Sequence, residues 1–173
     1  MKQKILDISQ IIRDKINKSK IFREIYQDEQ KFNVCCAALD VIEDAEEAIS
    51  YYKNVTPNDD IGYKYIMLFG LLESMYIQQN ALNSLGKALG MNIQTESSRI
   101  KYIRDIRNDI AGHPTDRNGN ETVFLNRNLM EHNSFSYNTS NSDEYIEIDV
   151  FKLIEDQENY IYDCLQKVSE NII

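Results

Sequence analysis

The chain has 173 residues, 42% of them hydrophobic and 27% charged, and carries a net charge of −9. That length and apolar content suit a single domain able to bury a core without staples, and they exclude a disordered chain. The acidic total excludes a broad, nonspecific coat for DNA, because such binding draws its affinity from neutralised phosphates, and leaves nucleic acid only a local basic site.

The three cysteines, Cys35, Cys36 and Cys164, form no CxxC or Cys/His cluster of the zinc-binding kind, and the pattern predicts free thiols, with no metal site. The start, MKQKILDISQIIRDK, is broken by charge too often for a signal peptide. No apolar run approaches the roughly 20 residues of a membrane span. The expected location is cytoplasmic, with no membrane partner.

From the N-terminus, Ile5, Ile8, Ile11/Ile12 and Ile16, then Ile21, Phe22, Ile25 and Tyr26, recur at helical spacing over residues 2–31. They predict one long helix, or two with a break near Asn17–Lys20. A second helix over 33–53 carries Val34, Ala38, Val41/Ile42, Ala45, Ala48/Ile49 and Tyr52, and its acidic run, Asp40, Glu43, Asp44, Glu46 and Glu47, reads as a solvated face. Thr56-Pro57-Asn58-Asp59 predicts the start of a third, with Thr at the N-cap and Pro at N1. Its stripe is Ile66, Phe69/Gly70, Met75, Ile77, Leu82, Leu85 and Leu89, and Gly90 stops it. Glu73 interrupts this apolar segment, either facing a cleft or partnered at an edge.

A fourth helix begins near Thr95 or Ser97, buries Ile100, Ile103, Ile106 and Ile110, and ends at Gly112-His113-Pro114. The texture then turns β-like. After an Asn-Gly turn within Asp116–Asn120, the segments Thr122–Leu125, Ser134–Tyr137 and Glu144–Val150 predict two or three antiparallel strands, separated by the polar stretch Asn138–Asp143. Asp149 is placed to cap a last helix with Val150, Ile154, Ile161, Leu165, Val168 and Ile172 on one face. The expected fold is mainly α: an up-and-down helical bundle in one domain over 1–173, with a small antiparallel β insertion at about 121–149 before the C-terminal helix.

Several chemistries lack their sequence marks. There is no P-loop or GxGxxG to cradle a nucleotide, no HExxH, no GxSxG and no recognisable Cys/His pair. The reading therefore includes no cofactor.

The stretch Arg107-Asn108-Asp109-Ile110-Ala111-Gly112-His113 stands apart, because the chain has only two histidines. It resembles the Rx4–6H motif of the HEPN superfamily, including the polar Asn often found after the Arg. The resemblance extends to the plan: an all-α bundle whose motif ends the helix before the final one. It implies metal-independent RNA cleavage, in which the ribose 2′-hydroxyl attacks the adjacent phosphate to leave a 2′,3′-cyclic phosphate and a 5′-hydroxyl. Such a step needs a proton-transfer group active near neutral pH and a fixed cation for the developing charge, roles suited to His113 and Arg107. Asn108 would orient a phosphate or the imidazole. Many members of the superfamily are toxins or phage-defence effectors and form homodimers with two motifs facing one cleft. The resemblance thus implies RNA as substrate, a homodimer, and an antitoxin or nucleotidyltransferase as partner. The alternative is a non-catalytic helical dimerisation or partner-binding module, with Arg107 complementing the helix end electrostatically and His113 an ordinary loop residue.

Local charge favours an anionic ligand there. Between residues 99 and 117 lie five basic residues (Arg99, Lys101, Arg104, Arg107, Arg117) against three acidic ones (Asp105, Asp109, Asp116). Lys101, Arg104 and Arg117 are the candidate RNA-binding residues. One geometric demand follows. On a regular α-helix the step from Arg107 to His113 turns through about 600°, leaving the two side chains about 120° apart. Convergence requires the helix to end at the histidine, as Gly112 and Pro114 predict, or a second copy to complete the site. A second copy of the motif, Arg127-Asn128-Leu129-Met130-Glu131-His132, lies in the β-like insertion, where residues five apart on a strand point to opposite faces.

Overall fold

Three aspartates open the three longest helices. Asp28, Asp60 and Asp149 each accept a hydrogen bond from a backbone N–H three residues on, at Lys31, Tyr63 and Lys152, and so satisfy donors that a helix start leaves without partners. The computed structural model describes residues 1–18, 28–93, 98–116, 119 and 121–172. Among them are five α-helices: α1 (Lys2–Lys18), α2 (Glu29–Asn54), α3 (Ile61–Ala88), α4 (Ser98–Arg107) and α5 (Val150–Asn171). Between α4 and α5 stand three antiparallel strands in the order β1 (Val123–Leu125), β2 (Ser134–Thr139) and β3 (Ser142–Asp149). The fold is a mainly α helical bundle with a small sheet before its last helix.

Several boundaries differ from the periodicity. α2 begins at Glu29, four residues before the expected start, because the Asp28 carboxylate caps it there. Ile21, Phe22, Ile25, Tyr26, Thr95 and Ser97 lie outside the described residues. α3 starts at Ile61, not after Thr56. Asn58 accepts from the Asp60 N–H, a local turn that competes with helix, and Asp60 then takes the cap. Gly90 adopts φ +69° beyond α3, the left-handed conformation that favours glycine. The expected polar loop at 138–143 is narrower: β2 and β3 pair through Thr139 and Ser142, leaving a two-residue turn. Gly119 has φ +78°, while Asn118 and Asn120 of the Asn-Gly reading lie outside the described residues.

The face of α3 differs most. Ile66, Phe69, Gly70 and Ile77 were the expected core, yet all four are exposed, Ile66 at 74%. The buried face is Leu68, Leu71, Leu72, Met75, Gln78, Gln79, Leu82 and Leu85. This helix is apolar nearly all round, so periodicity alone does not select a face. The acidic face of α2 also needs one correction: Glu46 is fully buried.

Both surprises belong to one feature. Apolar residues form two clusters, one under the sheet around Phe135, Leu72, Ile103 and Ile154, the other around Ile5, Leu39, Leu82 and Leu165. Between them runs a line of donated hydrogen bonds. Arg104 Nε donates to Gln79 Oε1 (2.6 Å), Gln79 to Gln157 (2.7 Å), Gln157 to Gln78 (2.8 Å), and Gln78 to Glu46 Oε2 (3.2 Å). Spare amide hydrogens reach the carbonyls of Met75 and Ile42. An arginine only donates, so the direction of every amide is fixed from that end.

The line ends at a pair of acids. Glu158 accepts from Lys53 Nζ with both oxygens, at 2.8 and 3.0 Å, while Glu46 Oε1 has no hydrogen-bond acceptor role filled. The Glu46 carboxyl lies near that of Glu158, and their like charges disfavour ionisation of Glu46. Burial, with the charge of Glu158 adding to it, pushes the Glu46 carboxyl up to about 7. In the unfolded chain it titrates near the ordinary glutamate value of about 4.3. The folded state therefore holds the extra proton between those values, and stability falls as pH rises through that window. Glu46→Gln keeps an acceptor for Gln78 and a donor for Glu158 without the titration. Urea unfolding from pH 4.5 to 8 is expected to show the variant losing less stability than the parent, by on the order of 2 kcal/mol.

Candidate active site

α4 buries Ile100, Ile103 and Ile106 and leaves Arg104 and Arg107 half-buried on its flank. Arg107 meets Glu73 while Arg104 meets Gln79 and Asn80, so the partners advance along α3 as they retreat along α4, and the two helices run antiparallel. Arg107 donates Nε–H (2.9 Å) and an Nη2–H (2.8 Å) to one oxygen of Glu73, Oε2, and an Nη1–H to Asn108 Oδ1 (3.1 Å). Its guanidinium carbon lies 4.3 Å from the ring centroid of Tyr76, and that of Arg104 lies 5.5 Å from the same ring. Two cations on one aromatic ring repel each other, and the Glu73 carboxylate offsets that charge.

Beyond Arg107 the helix widens. Asn108–Gly112 is a π-helical turn, closed by a 2.7 Å bond from the His113 N–H to the Asn108 carbonyl. The helix ends at Gly112, as the sequence predicts, but through a π turn and not an α turn. Gly112 leaves room for its neighbour: a Cβ there would stand 2.9 Å from Arg107 Nη1 and 3.4 Å from Asn108 Oδ1, so the arginine side chain would have to shift. The guanidinium thus folds back along the turn and occupies the space beside the residue before His113. That return brings Arg107, Asn108 and the start of the His113 segment together despite the angular step of a regular helix. The His113 side chain is exposed and has no hydrogen bond or ion pair among the described residues.

The sheet fixes the far side of the turn. Val123 N–H donates to the Pro114 carbonyl at 2.7 Å, and the Tyr137 hydroxyl donates to Asp109 Oδ2 at 3.2 Å. Burial and the nearby Asp109 charge raise the Tyr137 hydroxyl above the usual tyrosine range, which keeps it a donor.

Of the three candidate RNA-binding residues, Lys101 is exposed on α4, Arg104 is drawn inward onto Gln79 and Asn80, and Arg117 lies outside the described residues. Tyr76 was not singled out in the sequence; its spacing from Glu73 and Asn80 on one helical face is the signal that could have marked it. No model of a known protein family matches the chain, and no curated protein or solved structure does either. Among the described residues no group of three or more His, Cys, Asp or Glu is placed to hold a metal ion.

The second Arg-Asn…His copy is occupied otherwise. Arg127 starts a short 3-10 turn and donates to the Tyr65 hydroxyl at 3.0 Å. His132 stacks on Tyr52, with ring centroids 4.6 Å apart and planes 12° apart, and meets the Phe151 ring edge-on at 5.7 Å. The Tyr52 hydroxyl also donates to the His132 carbonyl. The two histidines therefore differ in what they support. His132→Ala is expected to lower unfolding free energy by about 1–2 kcal/mol through the lost ring contacts. His113→Ala is expected to stay within about 0.5 kcal/mol of the parent. Equilibrium urea denaturation of both variants checks the contrast.

Proposed function

We propose that the chain is a metal-independent endoribonuclease that cleaves through a 2′,3′-cyclic phosphate. The observation that carries this reading is the guanidinium of Arg107, folded back against Gly112 next to a histidine whose imidazole is open to solvent. Arg107 uses three of its five N–H bonds on Glu73 and Asn108, which leaves one on each terminal nitrogen for a phosphate. A guanidinium so placed suits the charge that develops on a phosphorane, and it supplies electrostatic stabilisation without a bound cation. His113 supplies proton transfer. Asn108 holds the guanidinium through Oδ1. Lys101 adds positive charge along the approach, and Arg104 acts through its place on Tyr76.

The reading includes a homodimer. Ile66, Phe69 and Ile77 form an exposed apolar stripe on α3, in line with Glu73 and with Tyr51 across a groove on α2. A second copy seated on that stripe would cover apolar surface beside the Arg107 cluster and bring two sites together. The other reading, a non-catalytic module, is favoured by one observation: the charge of Arg107 is already met by Glu73 and its plane by Tyr76, as for a structural arginine.

Purified protein incubated with total RNA and with tRNA in EDTA separates these. Cleavage with 2′,3′-cyclic phosphate ends is expected, and its loss on chelation contradicts the mechanism. Arg107→Ala and His113→Ala are expected to abolish cleavage with the helical circular dichroism intact, while Arg127→Ala leaves it within a few-fold. If neither 107 nor 113 matters, the binding-module reading stands. For assembly, light scattering at micromolar concentration is expected to give a dimer that Ile66→Asp with Phe69→Asp converts to monomer. A strict monomer in the parent removes the two-site cleft.

A further inference from the structure

Cleavage by internal transesterification has two proton transfers at opposite ends of one displacement. A base takes the proton of the 2′-hydroxyl, and an acid gives one to the departing 5′-oxygen. Arginine supplies neither, and the motif offers a single histidine. Within one copy of the chain, the second proton-transfer group has to come from elsewhere in the fold.

Glu73 stands at that place. It sits in the middle of α3, is about half exposed, and contacts Arg107 through Oε2 alone. A carboxylate oxygen that accepts two guanidinium N–H bonds belongs to the acceptor form of the group. Its other oxygen, Oε1, has no hydrogen-bond partner among the described residues. The nearest alternative carboxylate on the turn, Asp109, already accepts the Tyr137 hydroxyl. Arg107 therefore lies between two groups: Glu73 on the α3 side, and the Gly112–His113 end of the turn on the other. A phosphate gripped by its two remaining N–H bonds would have a carboxylate on one side and an imidazole on the other.

Building on the ribonuclease reading, we propose that Glu73 is the general base and His113 the general acid, on either side of a phosphate held by Arg107. Glu73 Oε1 takes the proton as the 2′-oxygen forms its bond to phosphorus. The bond from phosphorus to the 5′-oxygen breaks, its electron pair stays on that oxygen, and protonated His113 delivers a proton to it. The products are the 2′,3′-cyclic phosphate and a 5′-hydroxyl, and exchange with water returns one proton to His113 and removes one from Glu73. No oxidant, metal or further reactant enters. The ion pair has a second effect: it keeps the guanidinium aimed at the turn, so base and cation are positioned by the same contact.

The test uses the full chain and a dinucleoside phosphate or short RNA, with cyclic-phosphate ends as the readout. Glu73→Gln retains an acceptor for Arg107, and its helical circular dichroism should match the parent. It is expected to lower kcat by about 100-fold or more with KM within a few-fold. It should also remove the rise of kcat/KM out of acid while leaving the alkaline fall. Glu73→Ala in added formate should regain activity in proportion to formate concentration. A Glu73→Gln enzyme near parental activity overturns the proposal. So does one that loses activity while keeping the acid limb, with no formate rescue of the alanine variant, because Glu73 then only positions Arg107. A parent protein that yields no cyclic-phosphate ends fails the ribonuclease reading first and takes this assignment with it.

Discussion

A single line of hydrogen bonds, donated in one direction from Arg104 to Glu46, decides how four helices of this protein can sit. Its members come from α4, α3, α5 and α2, and its three glutamines and Glu46 are fully inaccessible. A buried amide without a partner costs about 1–3 kcal/mol. Any sliding of one helix past another would break at least one bond in a place water does not reach. Two apolar clusters supply the drive to collapse, but apolar contacts are non-directional and tolerate small shifts. The polar line lying between them sets the register.

That register is what places the candidate site. α3 presents Gln78 and Gln79 inward and, because it is one rigid rod, presents Glu73, Tyr76 and Asn80 to α4. Arg104 belongs to both systems: its Nε–H begins the buried line, and its plane lies on Tyr76 with that of Arg107. The sheet works from the other side through Pro114 and Asp109. The site is thus held between a helix fixed by the core and a sheet that stands outside the bundle.

The features legible in the sequence were those with local causes. The stripes of α4 and α5, the Asp149 cap, the Gly90 stop and the change to strands after Pro114 each follow from a few neighbouring residues. Arg107 and His113 were singled out by the spacing of a motif they resemble, at a place where a helix end, a glycine and a proline coincide. Two helix starts were missed for local reasons, the caps at Asp28 and Asp60; the misses in the core and at the site needed tertiary information. Ile66, Phe69 and Ile77 read as core because α3 is apolar on more than one face, and only the Gln78–Gln157 contact shows which face turns inward. Glu46 sat in an acidic run that reads as solvated, and its burial depends on Glu158 more than a hundred residues away. Glu73 was ambiguous for the same reason, since its partner lies on another helix. A π turn has no marker in composition; Gly112 hints at it only once the reach of Arg107 is known.

The π turn also changes what the spacing of a motif means. Residue count measures length along the chain, whereas a site depends on where the ends of that length arrive. The bond from the His113 N–H to the Asn108 carbonyl encloses one residue more than an α-helical bond from the same carbonyl. A chain one residue shorter between its arginine and its histidine could close the same carbonyl with an ordinary α turn and deliver its histidine to the same rim. Insertions of a single residue, which would rotate everything downstream by about 100° in a regular helix, are instead absorbed within one turn. Variable spacing between two functional residues is then compatible with constant geometry, provided that something outside the helix holds the wider turn open.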